Sequence, residues 1–467
     1  MDQRPLGLFE RFQAGVKLIN CYGVVSFTAV LRHATPRPQT TTTTLNAKQF
    51  YLPRLHAAVQ KIVDKHPLLS TALVDYEKPT IRYTCIPDFD LASIVSFDEM
   101  AFWESDAQAN RIAEQCDKDF DFDNTRLPLW RLHIDTHPER PDECSITVAG
   151  EHTMADGMSL MIFMQELVQL LDTVKPTMTE DGDEVYMIKS NKAPINPPCE
   201  ERNGPRLTPD EVNKLKDEQQ QQHDKPPANA HCWQGDRRVG KDQDSAVHRT
   251  TMRTIKVDDP LWGKVCKAAK EHGLSPHAAI MAATLLSFAD IYPDEEAVET
   301  YTPMNVRASF DPPVPNDEMG NFIGSYPRIW SLSQDINQHT FWDLAALYQR
   351  EIKAHKPEAA KEVHSFALFG DYPQGFTEIW TKNWDRYRLG RTGGIELSDL
   401  GRCNWGDSVQ ELYFGQSAQA YSIGMGISTV STTHGMRATL SFQKDTLDED
   451  KLEAFAPTIL SKLESCI

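Results

Sequence analysis

The sequence predicts a layered α/β or α+β protein built as two halves. Three observations carry that prediction. Helical and strand-like periods alternate irregularly on both sides of the chain's middle, which points to sheets covered by helices. One stretch, 191–245, is rich in Pro, Gln, Lys and Asp and poor in large apolar residues, so it cannot bury enough surface to offset its ordering entropy. The 467 residues are 40% hydrophobic and 25% charged, ordinary globular usage and enough for sizeable cores. The expected division is 1–190, a flexible polar linker at 191–248, and 249–467.

In the first half, 22–31 is a β-rich run and predicts a strand, followed by a loop that takes in 34–44. Residues 46–64 show helical spacing through Leu52, Leu55, Val59 and Ile62, and Pro67 closes the helix. Stretches 81–86, 131–135 and 145–149 read as strands, and 9–16 as a short amphipathic segment. An apolar helix follows Gly157, with Leu160, Phe163, Met164, Leu167 and Leu171 on one stripe. Inside the linker, 208–222 is a short polar helix.

In the second half a helix covers 260–271, and Ser275-Pro276 caps another running through Phe288. A strand at 299–304, a long amphipathic helix at 339–355, strands at 412–414, 425–430 and 438–442, and a closing helix at 448–465 complete the reading.

Lys+Arg number 48 and Asp+Glu 67, a net charge of −19 that disfavours nucleic acid or an anionic membrane as the main partner. The nine Cys form no CxxC pair and no close cluster with His, which reads as free thiols in a reducing compartment and no metal site. No apolar core follows a basic start, so no secretory signal is expected. The most apolar helical run, 277–288, falls well short of the roughly 20 residues that span a bilayer. The expectation is a cytoplasmic monomer without a transmembrane segment.

The sharpest local feature is a strand, then Glu151-His152-Thr153-Met154-Ala155-Asp156-Gly157, then a helix. Strand ends feeding a turn are where α/β sheets present side chains to ligands. A His there can act as general base near neutral pH, Asp156 can fix the loop, and Gly157 frees the backbone at the turn. On local pattern alone a hydrogen-bonded structural His is the favoured reading. The same spacing recurs at His339…Asp343, without a preceding strand or trailing Gly, and reads there as a helix start.

His152 to Gly157 resembles the HxxxDG motif of the CoA-dependent acyltransferase superfamily, which includes plant BAHD acyltransferases and peptide-synthetase condensation domains. Companions follow in that superfamily's order. Residues 6–11 with Tyr22-Gly23-Val24-Val25 resemble the opening of the fungal alcohol O-acetyltransferases. His66-Pro67-Leu68-Leu69, Leu127-Pro128-Leu129-Trp130-Arg131, Asn305-Val306-Arg307 and Gly320-Asn321-Phe322-Ile323-Gly324 resemble further family segments. So do Ser398-Asp399-Leu400-Gly401, with Asp where Asn is usual, and Phe414-Gly415-Gln416-Ser417. The plant DFGWG pattern is absent, and Glu151 stands where condensation domains carry a first His.

The resemblance implies two chloramphenicol-acetyltransferase-like lobes, each a mixed β-sheet with helices, and an active-site tunnel between them. It implies O-acyl transfer, acetyl from acetyl-CoA to an alcohol or a secondary-metabolite hydroxyl. His152 is then the base, Asp156 a structural partner of Arg307, and Gln416 and Ser417 oxyanion or substrate contacts. Acyl-CoA enters as a substrate, not as a bound cofactor. Ordinary readings remain for Arg307, a surface cation, and for Gln416 and Ser417, polar strand residues. Two other activities stand beside transfer: a thioesterase or esterase using water, and a non-catalytic CoA- or ligand-binding relative. Peripheral contact with endoplasmic reticulum or lipid droplets occurs in some relatives.

Overall fold

The computed structural model describes residues 3–33, 43–104, 106–177, 186–221, 226–238 and 249–467. The expected loop at 34–42 and the linker stretches 222–225 and 239–248 lie outside the described residues. Two mixed sheets carry the architecture. The first half supplies β1 (Val24–Arg32), β2 (Val95–Glu99), β3 (Trp130–Thr136) and β4 (Glu143–Glu151). The second half supplies β5 (Thr250–Asp258), β6 (Ala297–Asn305), β7 (Ile323–Ser331), β8 (Ile395–Arg402), β9 (Val409–Gln416), β10 (Met425–Thr432) and β11 (Gly435–Gln443).

The strand order of the first sheet is β9-β1-β4-β3-β2, and that of the second is β5-β11-β10-β8-β6-β7. Strand β9 thus leaves its own half and closes the edge of the other sheet, antiparallel to β1 from Val409↔Leu31 to Gln416↔Val25. Strands β1 and β4 are buried along almost their whole length, which explains their continuous apolar and β-branched character in place of alternation. Trp130, at the start of β3, is fully buried and donates from Nε1 to the Leu69 carbonyl at 2.8 Å, a core residue with its polar tip satisfied.

The helices named here are α1 (Leu8–Leu18), α2 (Thr43–Lys65), α3 (Ala107–Asp117), α4 (Gly157–Leu171), α5 (Pro209–Gln221), α6 (Leu261–Glu271), α7 (Pro276–Ile291), α8 (Phe341–Ala359) and α9 (Glu449–Ser465). Helix α7 starts as its sequence dictates: Ser275 caps it by accepting from the Ala278 N–H, and Pro276 occupies the first turn. Helix α3 presents a face of small and branched residues, Ala109, Ile112, Ala113 and Cys116. These pack with Val30 of β1, Met252 of β5 and Tyr413 of β9 in an apolar cluster between the halves.

The connection at 191–248 holds more structure than its composition suggests. Trp233 is fully buried against Phe288 and Tyr292, with ring centroids at 5.5 and 5.2 Å, and its backbone N–H bonds the Ala297 carbonyl at 2.9 Å. One large aromatic within a polar stretch is enough to anchor the segment to the second core. A composition average hides it.

Candidate active site

Strand β4 ends at Glu151, and the His152 N–H continues the sheet by bonding the Gly23 carbonyl at 2.8 Å. The chain then turns and starts α4 with Asp156 as cap, whose carboxylate accepts from the Ser159 N–H at 2.8 Å and the Ser159 hydroxyl at 2.7 Å. The same carboxylate receives both Nη atoms of Arg307, at 2.9 and 3.2 Å, and the Phe322 N–H at 3.2 Å. Both side chains are essentially sealed from solvent, and the guanidinium also lies 4.7 Å over the Phe322 ring. Burial alone would raise the Asp156 pKa, but the Arg307 charge and the Ser159 donors hold it below the usual carboxylate range.

Gly157 is required by packing. A Cβ there would meet the Phe414 ring at 2.7 Å, and Phe414 comes from the exchanged strand β9. Asn321 fastens the loop from the second half: its amide donates to the carbonyls of His152 at 2.9 Å and Thr153 at 2.7 Å. Gly324 lies flush against the end of α8, where a Cβ would sit 2.0 Å from the Ala359 carbonyl oxygen. The loop is therefore held across the seam by Arg307, Asn321 and Phe322 of one half acting on Asp156 and His152 of the other.

The His152 imidazole keeps 7% exposure and lies edge-on to Tyr22, with ring centroids 5.3 Å apart, and 6.3 Å from Phe9. Burial pushes its pKa below the ordinary imidazole value, with its own carbonyl, Asp156 and Asn321 acting in the opposite direction. Its Nδ1 has no hydrogen-bond partner among the described residues. The neighbouring Glu151 is fully buried, and burial pushes its carboxyl up to about 7 against the opposing Lys17 charge and Thr153 hydroxyl. A cavity of about 400 Å³ is lined by Tyr22, Gly23, Val24 and Ser417, with Lys17 and Arg249 among the remaining residues. A smaller one, about 20 Å³, is bounded by Phe9, Asn321 and Phe322. Tyr22 and Phe9, one on each cavity wall, are the two rings beside the imidazole.

Residues 265–463 match the family model described as alcohol acetyltransferase. Over that stretch the chain is similar to the alcohol acetyltransferases. The probable alcohol acetyltransferase crmB of Aspergillus fumigatus is 24% identical over 321 residues, 64% of this chain and 64% of that protein, so the match spans just under two thirds of that relative's length. In fold, the TRI3 trichothecene 15-O-acetyltransferase of Fusarium sporotrichioides gives a TM-score of 0.70 at 12% identity, covering 99% of this chain and 95% of that one. The condensation domain of the Monacolin K polyketide synthase MokA gives 0.55 at 12% identity, covering 100% and 97%. The two-lobed mixed α/β architecture is common to them. The family match begins after His152, so the geometry of that loop is seen only in the structure.

The remaining alcohol acetyltransferase-like segments fall at the seam or behind it. Gln416 accepts the Tyr22 hydroxyl on Oε1 at 2.9 Å and donates from Nε2 to Glu396. Ser417 Oγ accepts from the N–H groups of Gly23 and Val24, both at 3.2 Å. Ser428, in the 428–433 polar run, is buried with no partner for its hydroxyl among the described residues. Asp399, where Asn is usual, accepts from Thr429 Oγ1 at 2.8 Å and the Gly401 N–H at 2.9 Å, and faces His277 Nδ1 at 3.3 Å. A carboxylate suits that position because an imidazole stands opposite. Tyr22, Asn321, Ser159 and Glu151 carry no role readable from the sequence. The partners of Tyr22 and Asn321 are distant along the chain, whereas Ser159 and Glu151 bond Asp156 and Thr153 close by.

Among the described residues no group of three His, Cys, Asp or Glu is placed to hold a metal ion, and no single helix is long and apolar enough to cross a membrane.

Proposed function

We propose that the chain is an O-acyltransferase that moves an acyl group, acetyl in the first instance, from CoA to an alcohol, with His152 as general base. The observation that carries this reading is the engagement of Asp156 by five donors from Arg307, Ser159 and Phe322. Asp156 thereby serves as a clamp, and the imidazole four residues earlier is left beside the seam. Burial favours its neutral form, the form that takes a proton.

In the proposed reaction the alcohol oxygen attacks the thioester carbonyl while His152 Nε2 takes the hydroxyl proton. The tetrahedral intermediate then collapses, the C–S bond breaks, and the imidazolium returns the proton to the departing thiolate. Ester and CoA thiol are the products, and no acyl-enzyme forms. The aromatic neighbours of the imidazole are Tyr22 and Phe9. Base catalysis of this kind is worth about 10²–10⁴-fold, and holding both substrates at one seam adds an orientation term. The cytoplasm is proposed as the compartment, a reading supported by nine free thiols.

The test is thiol release from acetyl-CoA by purified protein, followed with a thiol-reactive dye across alcohols from ethanol to sterols and terpenoid alcohols. Release that depends on an added alcohol is expected. Equal release without alcohol would mean a hydrolase. CoA binding with no turnover on any acceptor would mean a ligand-binding relative.

A further inference from the structure

In the first sheet, strands β2 and β3 pair in parallel with Ser96 directly opposite His133 and Asp98 opposite Asp135. Side chains two residues apart share one face of a strand, so His133 and Asp135 stand together on β3 with Ser96 beside them. Their polar atoms form a line: Ser96 Oγ lies 2.7 Å from His133 Nδ1, and His133 Nε2 lies 3.2 Å from Asp135 Oδ1. Asp135 is fully buried and His133 is 4% exposed, whereas Ser96, at the outer end, is exposed on the edge strand of its sheet. Strand β2 is two strands away from β4, which leads into the His152 loop.

The polarity of the line is fixed from its buried end. Arg111 of α3 reaches both Asp135 oxygens, Nη2 to Oδ1 at 2.9 Å and Nε to Oδ2 at 3.1 Å, and the same guanidinium bonds Asp98 and Glu114. Paired in this way with a guanidinium, the Asp135 carboxylate can only accept. The neutral imidazole therefore carries its proton on Nε2, toward Asp135, and turns its Nδ1 lone pair to Ser96; the other tautomer would set two lone pairs face to face. The Ser96 hydroxyl then donates to Nδ1, its other acceptor, the Leu132 carbonyl, being at 3.5 Å. An exposed hydroxyl bonded to an imidazole that is backed by a buried carboxylate is the arrangement that activates a serine, here with the two ring nitrogens exchanged relative to the serine proteases.

We propose that Ser96 is a nucleophilic serine that takes an acyl group from activated carboxylic esters, with His133 as its base. Asp135 and Arg111 are positioning residues, since they act only through the imidazole. Ser96 Oγ bonds the ester carbonyl carbon as its proton passes to His133 Nδ1. The C–O bond to the leaving group then breaks, and the imidazolium returns the proton to the departing alkoxide. An O-acyl serine and a free alcohol are the products. Small esters with a phenol-like leaving group suit the site, because Ser96 stands on an open strand edge. The site is independent of the acyl-transfer reading above.

The experiment treats the full chain with p-nitrophenyl acetate and, separately, with a fluorophosphonate, and follows the adducts at each serine by mass spectrometry. Ser93 is the internal reference: it is exposed and close by, and its hydroxyl donates to the Asp90 carbonyl at 2.6 Å in place of an imidazole. In wild type, Ser96 should react at least about 10²-fold faster than Ser93, the lower end of what a positioned base contributes. His133→Gln should bring the Ser96 rate down to that of Ser93. Equal rates at Ser93 and Ser96 in wild type, or a fast Ser96 rate that survives His133→Gln in a folded variant, would overturn the site. The comparison of the two serines within the wild-type chain decides the matter even where His133→Gln fails to fold.

Discussion

At 152–156 a His-x-x-x-Asp spacing follows a strand buried along its whole length; at 339–343 the same spacing opens an amphipathic helix at the surface. In the first, Asp156 is sealed and gathers donors from a distant part of the chain, and the imidazole sits against Tyr22. In the second, Asp343 is exposed and bonds the capping Thr340, while His339 Nδ1 contacts the Asp335 carbonyl at 2.6 Å. The spacing is common to both. What distinguishes them is which partners the fold brings: at 156 an arginine 151 residues away, at 343 a hydroxyl three residues away. A motif becomes a site when long-range partners hold the second residue still and leave the first one free.

The sharpest way to break that comparison is to remove each imidazole. His152→Ala should lower kcat/KM by about 10²–10⁴-fold, the usual contribution of a positioned base, with an unchanged circular dichroism spectrum. His339→Ala should leave the rate at the wild-type level. A tenfold loss in the second variant would mean that the distinction drawn from surroundings is false.

Removing the two aspartates should separate them in stability. Asp156→Ala leaves the Arg307 guanidinium buried and unpaired, a loss of about 3–5 kcal/mol in urea unfolding. Arg307→Met should cost as much, by stranding the carboxylate. Because each variant strands the other's partner, the double variant should cost much less than the sum. Asp343→Ala removes only a helix-start contact and should cost about 1 kcal/mol or less.

Much of the first lobe's frame is legible in the sequence. The β-branched runs near 22–31 and 145–149 form β1 and β4, and the Ser275-Pro276 cap marks the start of α7 in the second lobe, because these signals are local. The edge strand β7 escapes a reading by pattern, since Pro327 interrupts it; at an edge a missing N–H is tolerated. Helix α3 escapes because it buries small residues where a stripe of Leu or Phe is the usual signal. The run at 412–414 reads as a strand, yet nothing in it says that β9 joins the other half's sheet. The Asp156–Arg307 pairing follows only from family resemblance, and Tyr22–Gln416–Glu396 from neither pattern nor resemblance. Contacts spanning some 390 residues leave no periodicity to read.

The exchanged strand makes a smaller, sharper test. Gly157→Ala drives a methyl group into the Phe414 ring, and overpacking of this kind costs about 1–3 kcal/mol. Trimming the ring with Phe414→Leu should recover part of that loss in the double variant, although the single Phe414→Leu is itself destabilising. A Gly157→Ala penalty independent of residue 414 would show that backbone conformation, and not the packing of β9, requires glycine there.

The finest contrast lies between the adjacent residues 151 and 152, whose buried side chains shift in opposite directions on the pH scale. For His152 burial disfavours the imidazolium, so the base stays neutral below the ordinary imidazole pKa, and the acid limb of kcat/KM should bend below pH 6.5. For Glu151 burial disfavours the carboxylate, with a folded-state value of about 7 against an ordinary value of 4.5. Between those two values the folded chain binds more protons than the unfolded one, so this group's contribution to stability falls as pH rises through that window and is level above it. Glu151→Gln keeps the shape and removes the titration. Its advantage over wild type in urea midpoint should grow from about pH 5 to about pH 8, while the acid limb of the rate stays where it was. If the limb moved with Glu151→Gln, the titrating group in catalysis would be the carboxyl at 151 or the coupled pair, and the base would no longer be the imidazole alone.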